Sequence, residues 1–119
     1  MKPTRVFGLM LFALLQGCER APMPTVAGGD AKRGADLIRQ YGCGSCHTIP
    51  GIRRANASVG PPLQQLSKRV YIAGVIVNTP DNLARWIEHP QAVDPRTAMP
   101  EMGLSAQQAR DIAAYLYTQ

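Results

Sequence analysis

Cys43-Gly44-Ser45-Cys46-His47 is the stretch on which the reading of this chain turns. Two cysteines separated by two residues, with a histidine directly after the second, support four chemistries. A thioredoxin-like redox pair needs a βαβ context, which the flanking residues do not provide. A structural zinc site closes with four ligands, and outside this stretch the chain offers only Cys18 and His89. A plain disulfide leaves His47 without a role. The fourth chemistry uses all three side chains at once.

Cys-x-x-Cys-His is the pattern of a c-type haem attachment site. The two sulfurs match the two vinyl groups of haem, which they hold as thioethers, and His47 then falls beneath the iron as an axial nitrogen ligand. Composition fits this reading. A chain of 119 residues makes one small domain. Its large aromatics are Trp86, four tyrosines and two phenylalanines, both in the first dozen residues. The core is thin, and one covalent haem c would fill it. The formal charge of +5 includes no long basic run, so nothing calls for a nucleic-acid partner.

Residues 1–17 read as a targeting signal. A basic start (Lys2, Arg5) precedes an apolar run from Val6 to Leu15 that is too short to span a bilayer. The run ends in Leu15-Gln16-Gly17-Cys18, which resembles a bacterial lipobox. That resemblance implies cleavage before Cys18 and acylation of Cys18, and two or more acyl chains give stable anchoring. Gln16 departs from the smaller residues usual there. Residues 18–29, rich in Pro, Gly and small residues, read as a flexible tether, with a folded domain over 30–119.

Within that domain the patterning is helical. Asp30 is an N-cap for a helix over 31–41, with Ala31, Ala35, Ile38 and Tyr41 on one face and Gly42 as the stop. Gly34 inside this helix signals close packing. Residues 48–58 read as loop and 63–69 as a short helical turn. Residues 70–77 are β-branched and apolar, so propensity favours a strand, although no partner strand is in view. Thr79-Pro80-Asp81 opens a helix that should stop before Pro90. Ser105 and Gln108 form a capping box for a last helix carrying Ala109, Ile112, Ala113 and Leu116 on its apolar face. The expected fold class is all-α: about three to four helices in a small, loop-rich domain wrapped around one haem.

From residue 30 to 118 the chain resembles the class I cytochromes c. The motifs that carry this are the attachment site, Gly60-Pro61-Pro62-Leu63, Asn82-Leu83 with Trp86-Ile87, Thr97-Ala98-Met99-Pro100 and the 109–116 helix. It looks most like the domains associated with bacterial respiratory oxidases and periplasmic dehydrogenases. The resemblance implies that Met99 is the second axial ligand, with Met102 its rival three residues on, Met23 a poor candidate in the tether and His89 a surface histidine. It implies that the Pro61 carbonyl receives the ring N–H of His47, that Leu63 packs on the haem face, and that Arg69 lies near a propionate. Trp86 and Tyr71 are further candidates for propionate donors, Trp86 serving equally as plain core. The first and last helices should cross with Gly34 facing an aromatic residue, here Tyr115. Arg53 and Arg54 either flank the haem edge towards an acidic partner or form a solvated pair.

The expected function is single-electron transfer by a low-spin His/Met haem, with no catalytic residues and no small-molecule substrate. The expected partners are a dehydrogenase or cytochrome bc complex on one side and a terminal oxidase on the other, at the periplasmic side of the bacterial cell membrane. Two other classes compete. A five-coordinate haem gas sensor or peroxidase-like enzyme requires that Met99 does not ligate, and a haem-free lipoprotein would be colourless.

Overall fold

The computed structural model describes Pro22 and residues 24–119, so the signal 1–17 and Cys18 lie outside the described residues. Four helices carry the domain: α1 Ala31–Gln40, α2 Pro80–Glu88, the one-turn α3 Pro90–Val93 and α4 Ala106–Tyr117. Each long helix starts on the cap its sequence offers. The Asp30 carboxylate accepts from the Arg33 N–H, the Thr79 hydroxyl accepts from the Asn82 N–H, and Ser105 and Gln108 close a reciprocal capping box. Pro90 was expected only as a stop. It ends α2 and also opens α3, because a residue without an N–H costs nothing at the first helical position.

Residues 70–77 do not form one strand. They fold back as a hairpin of β1 Tyr71–Ile72 and β2 Ile76–Val77, antiparallel, with Tyr71 opposite Val77. Ala73 and Gly74 both have positive φ, 50° and 74°, and the Val75 N–H donates to the Ile72 carbonyl at 3.0 Å. Two left-handed residues in the turn match the twist of the strands. The partner strand was inside the segment itself. Asn78 pins the base: its amide nitrogen donates to the carbonyls of Leu66 (2.7 Å) and Arg69 (2.8 Å), and its oxygen accepts from the Tyr117 hydroxyl at 2.7 Å.

The frame is the crossing of α1 and α4. Ile38, Leu37, Ala109, Ile112, Ala113 and Leu116 are buried there. Gly34 lets the two backbones meet. A Cβ at that position would overlap the Asp111 carbonyl, followed by the Ile112 nitrogen. The glycine therefore meets backbone first, and the Tyr115 hydroxyl donates to the Pro50 carbonyl at 2.7 Å.

Residues just ahead of Asp30 also pack on the domain. Val26 is buried with the core, the Gly28 carbonyl accepts from the Gln107 side chain at 2.8 Å, and Gly29 lies against the Arg110 carbonyl and the Ala114 methyl. Gly28-Gly29 read as slack in the sequence. The pair instead allows a close approach to α4.

Asp111 is the one charged side chain buried in the crossing among the described residues, 1 % exposed. It accepts from the Asp30 N–H (2.9 Å), Arg33 Nε (2.5 Å) and Nη2 (3.1 Å), and Gln107 Nε2 (2.9 Å). Burial pushes its pKa up, but the Arg33, Asp30 and Gln107 bonds outweigh burial, and the carboxyl titrates below the usual range. A depressed carboxyl contributes stability that is complete above its unfolded pKa of about 3.9 and is lost as pH falls through the lower folded value. Asp111→Asn should cost about 2 kcal/mol at pH 7, or roughly 10 °C in Tm. The difference from the parent should shrink on acidification below about pH 4. Thermal melts of both proteins from about pH 7 to about pH 2.5 check this; a gap that stays constant would show that the charge is not what matters.

Candidate functional site

The attachment stretch follows α1 directly. Gly42 takes the left-handed conformation (φ 68°) that ends the helix, and Cys43–Ser45 tightens into a 3₁₀ turn. The N–H groups of Cys46 and His47 both donate to the Cys43 carbonyl, at 3.2 and 3.0 Å, and the Ser45 hydroxyl donates to the Gly42 carbonyl at 2.5 Å. Both sulfurs and the imidazole therefore leave one turn of backbone. The cysteines are free thiols and partly buried. Burial pushes the Cys43 thiol above its ordinary pKa. Redox-active Cys-x-x-Cys pairs shift a thiol the opposite way, to a lower pKa.

His47 Nδ1 lies 2.7 Å from the Pro61 carbonyl oxygen. A carbonyl only accepts, so the proton belongs on Nδ1 and the Nε2 lone pair is left for a metal. The loop that brings Pro61 there is built around the ring. The Gly60 N–H donates to the Cys46 carbonyl at 2.7 Å, and the Leu63 N–H to the Thr48 carbonyl at 2.8 Å. A Cβ on Gly60 would come within 2.5 Å of the imidazole, so only glycine fits. Leu63 is half-buried against the core.

Arg69 does something the sequence did not suggest. Its Nη2 donates to the Pro62 carbonyl (2.5 Å) and the Gln64 carbonyl (3.1 Å), bracing the loop that carries Pro61. Trp86 is buried in the core, and no described residue accepts a hydrogen bond from its indole. Tyr71 is 56 % exposed on the hairpin. His89 is exposed with Nδ1 3.3 Å from a Glu101 carboxylate oxygen. Met99 and Met102 are both half-buried against the core, so burial does not separate them. Their backbones do. The Met99 N–H donates to the Thr97 hydroxyl at 3.2 Å and its carbonyl accepts from Gln91 Nε2 at 2.7 Å. Gln91, Asn78 and the steric demand at Gly60 were missed from sequence; the position of Gln91 just after the Pro90 helix start was the available signal.

The donor set fits haem c. Two half-buried cysteines, not bonded to each other, precede a histidine with a fixed tautomer, Gly60 leaves the ring its space, and a restrained methionine sits half-buried against the apolar core. Fold and site together define a small helical domain that binds one haem covalently and exchanges electrons. The Cytochrome c family model matches residues 31–119, and the chain belongs to the cytochrome c family. It is an electron-transfer protein carrying one covalently attached haem c.

The chain is 29 % identical over 87 residues to cytochrome c oxidase subunit 2 of Alkalihalophilus pseudofirmus, covering 72 % of this chain and 25 % of that protein. It is 32 % identical over 71 residues to the subunit of the same name in Bacillus subtilis, covering 58 % and 20 %. It thus spans a quarter or less of these relatives. Among solved structures it is similar to a single-residue mutant of a cytochrome c2 (TM-score 0.56, 24 % identity, 74 % of this chain and 96 % of that one). It is also similar to cytochrome c2 of Rhodobacter capsulatus (TM-score 0.55, 22 % identity, 74 % and 96 %). At these identities the structural likeness speaks for the fold alone.

Proposed function

We propose that this cytochrome carries single electrons at the periplasmic side of a bacterial cell membrane, held there by lipid on Cys18. In this reading Cys43 and Cys46 would hold the haem covalently, and His47 and Met99 would ligate its iron. Its electrons come from a dehydrogenase or cytochrome bc complex and go to a terminal oxidase. The observation that carries the reading is the His47–Pro61 hydrogen bond, 2.7 Å, beside two free thiols on the same turn. It orients a ligand before any metal arrives. When bound, haem supplies a one-electron couple, and a thioether opposite the imidazole favours the ferrous state and raises the potential.

The names of the relatives, oxidase subunits, support an oxidase as the electron acceptor. Arg53, Arg54 and Arg39 line a shallow depression beside the attachment turn, which suits an acidic partner surface. A lipid anchor would raise local concentration at the membrane in place of long-range diffusion.

An optical spectrum of the exported protein, oxidised and reduced, with a haem stain on a denaturing gel, tests the core of this. The expected result is a stained band, sharp reduced peaks and the weak far-red ferric band of iron–methionine sulfur. A stained band with a high-spin spectrum would favour the five-coordinate sensor or peroxidase reading. Absence of stain, from cells that mature other c-type cytochromes, would sink the proposal.

A further inference from the structure

We infer that Gln91 is the positioning residue for Met99, gripping the methionine backbone so that its thioether stays in place opposite His47. The inference rests on Met99 as the axial ligand, as proposed above. Gln91 follows Pro90 on α3, and Pro90 is among the most deeply buried side chains of the domain. The base of the grip is therefore fixed in the core. From it, Nε2 reaches the Met99 carbonyl at 2.7 Å across a separation of 8 residues and closes the 91–99 loop into a ring. Thr97 holds the Met99 N–H from the other side, at 3.2 Å. Among the described hydrogen bonds Met102 makes none.

The cost of this arrangement points the same way. Gln91 Oε1 is buried with no hydrogen-bond partner among the described residues. An unpaired buried acceptor destabilises a fold, and an apolar side chain of the same size would fill the space without it. The carboxamide is thus explained by its nitrogen, whose partner is the ligand loop. A neutral thioether is a weak ligand, replaceable by any stronger base that reaches the iron. What keeps it bound is the small entropy it has left to lose, and that is what a closed loop supplies.

The test is an imidazole titration of the oxidised, haem-loaded protein, followed by loss of the far-red iron–methionine band. Gln91→Leu should keep its haem stain and its resting spectrum, yet lose the band at an imidazole concentration about fivefold lower than the parent, the equivalent of one neutral hydrogen bond. Gln91→Asn keeps the amide but is one methylene too short, and should behave like Gln91→Leu; it decides the matter if the leucine variant does not accumulate. Asp111→Asn is the control. It removes buried hydrogen bonds at the α1–α4 crossing and should lower Tm without moving the titration. Equal midpoints for the parent and the Gln91 variants would overturn the inference, as would an equal shift in Asp111→Asn. A parent lacking the far-red band would instead overturn the ligand assignment on which the inference stands.

Discussion

Met99→Ala should leave the protein coloured and stainable, because Cys43 and Cys46 hold the haem independently of the distal side. The ferric far-red band should vanish, and the reduction potential should fall by on the order of 100 mV, a modest part of the roughly 0.8 V that axial ligands span. With Met99 as the proposed ligand the direction follows: a thioether donates weakly and prefers ferrous iron, so its loss favours the ferric state. The iron should become open to azide or carbon monoxide, which a six-coordinate haem resists. Stability should fall as well, by about 2–3 kcal/mol, since a half-buried methionine is truncated in a loop whose backbone is held at both ends. A redox titration and a ligand-binding spectrum measure these effects separately. Survival of the band in Met99→Ala together with its loss in Met102→Ala would hand the ligand role to Met102.

Gly34→Val should have the largest effect on folding. The space a Cβ would occupy at Gly34 is filled by the Asp111 carbonyl. A side-chain obstacle can rotate away, whereas a helix backbone moves only with its whole helix. The α1–α4 crossing must then open, and with it go the Arg33–Asp111 pair and the packing of Ile38, Ile112 and Leu116. The expected loss is above about 3 kcal/mol, from a domain whose total stability is of order 5–15 kcal/mol. The measurement is the urea midpoint, together with the yield of haem-stained protein. Lys32→Ala, exposed on the same helix, should stay within about 0.5 kcal/mol of the parent. A valine variant as stable as the parent would mean that the crossing is looser than it looks.

Much of this fold was legible because its signals are local. Asp30, Thr79 and the Ser105/Gln108 pair each cap a helix through a hydrogen bond spanning three residues, and such bonds leave a fixed spacing in sequence. The hairpin was not legible as one. Its turn uses Ala73, a residue that rarely takes positive φ, beside Gly74, and propensity alone ran the two strands together. The packing of Val26 to Gly29 on α4 was invisible for another reason: it depends on contacts some eighty residues distant. Cys43, Cys46 and His47 were readable because one turn fixes their geometry. The bracing of the Pro62–Gln64 backbone by Arg69 and the grip of Gln91 on Met99 were not, because a side chain that bonds a backbone carbonyl imposes no identity on its partner.

The burial of Val26, with Gly28 and Gly29 against α4, would also set how far a tethered domain can travel. If Cys18 carries lipid as proposed, the eight residue steps from Cys18 to Val26 span at most about 28 Å even when fully extended. A tether running on to Asp30 would have added about 14 Å. A globule of this size is itself about 30 Å across, so the leash is shorter than the body it holds. A cytochrome so held would turn its haem edge from one neighbour to the next while its point of attachment stays within about 28 Å of the surface. Its electrons would then pass between complexes held at the same membrane, within about two protein diameters of the lipid.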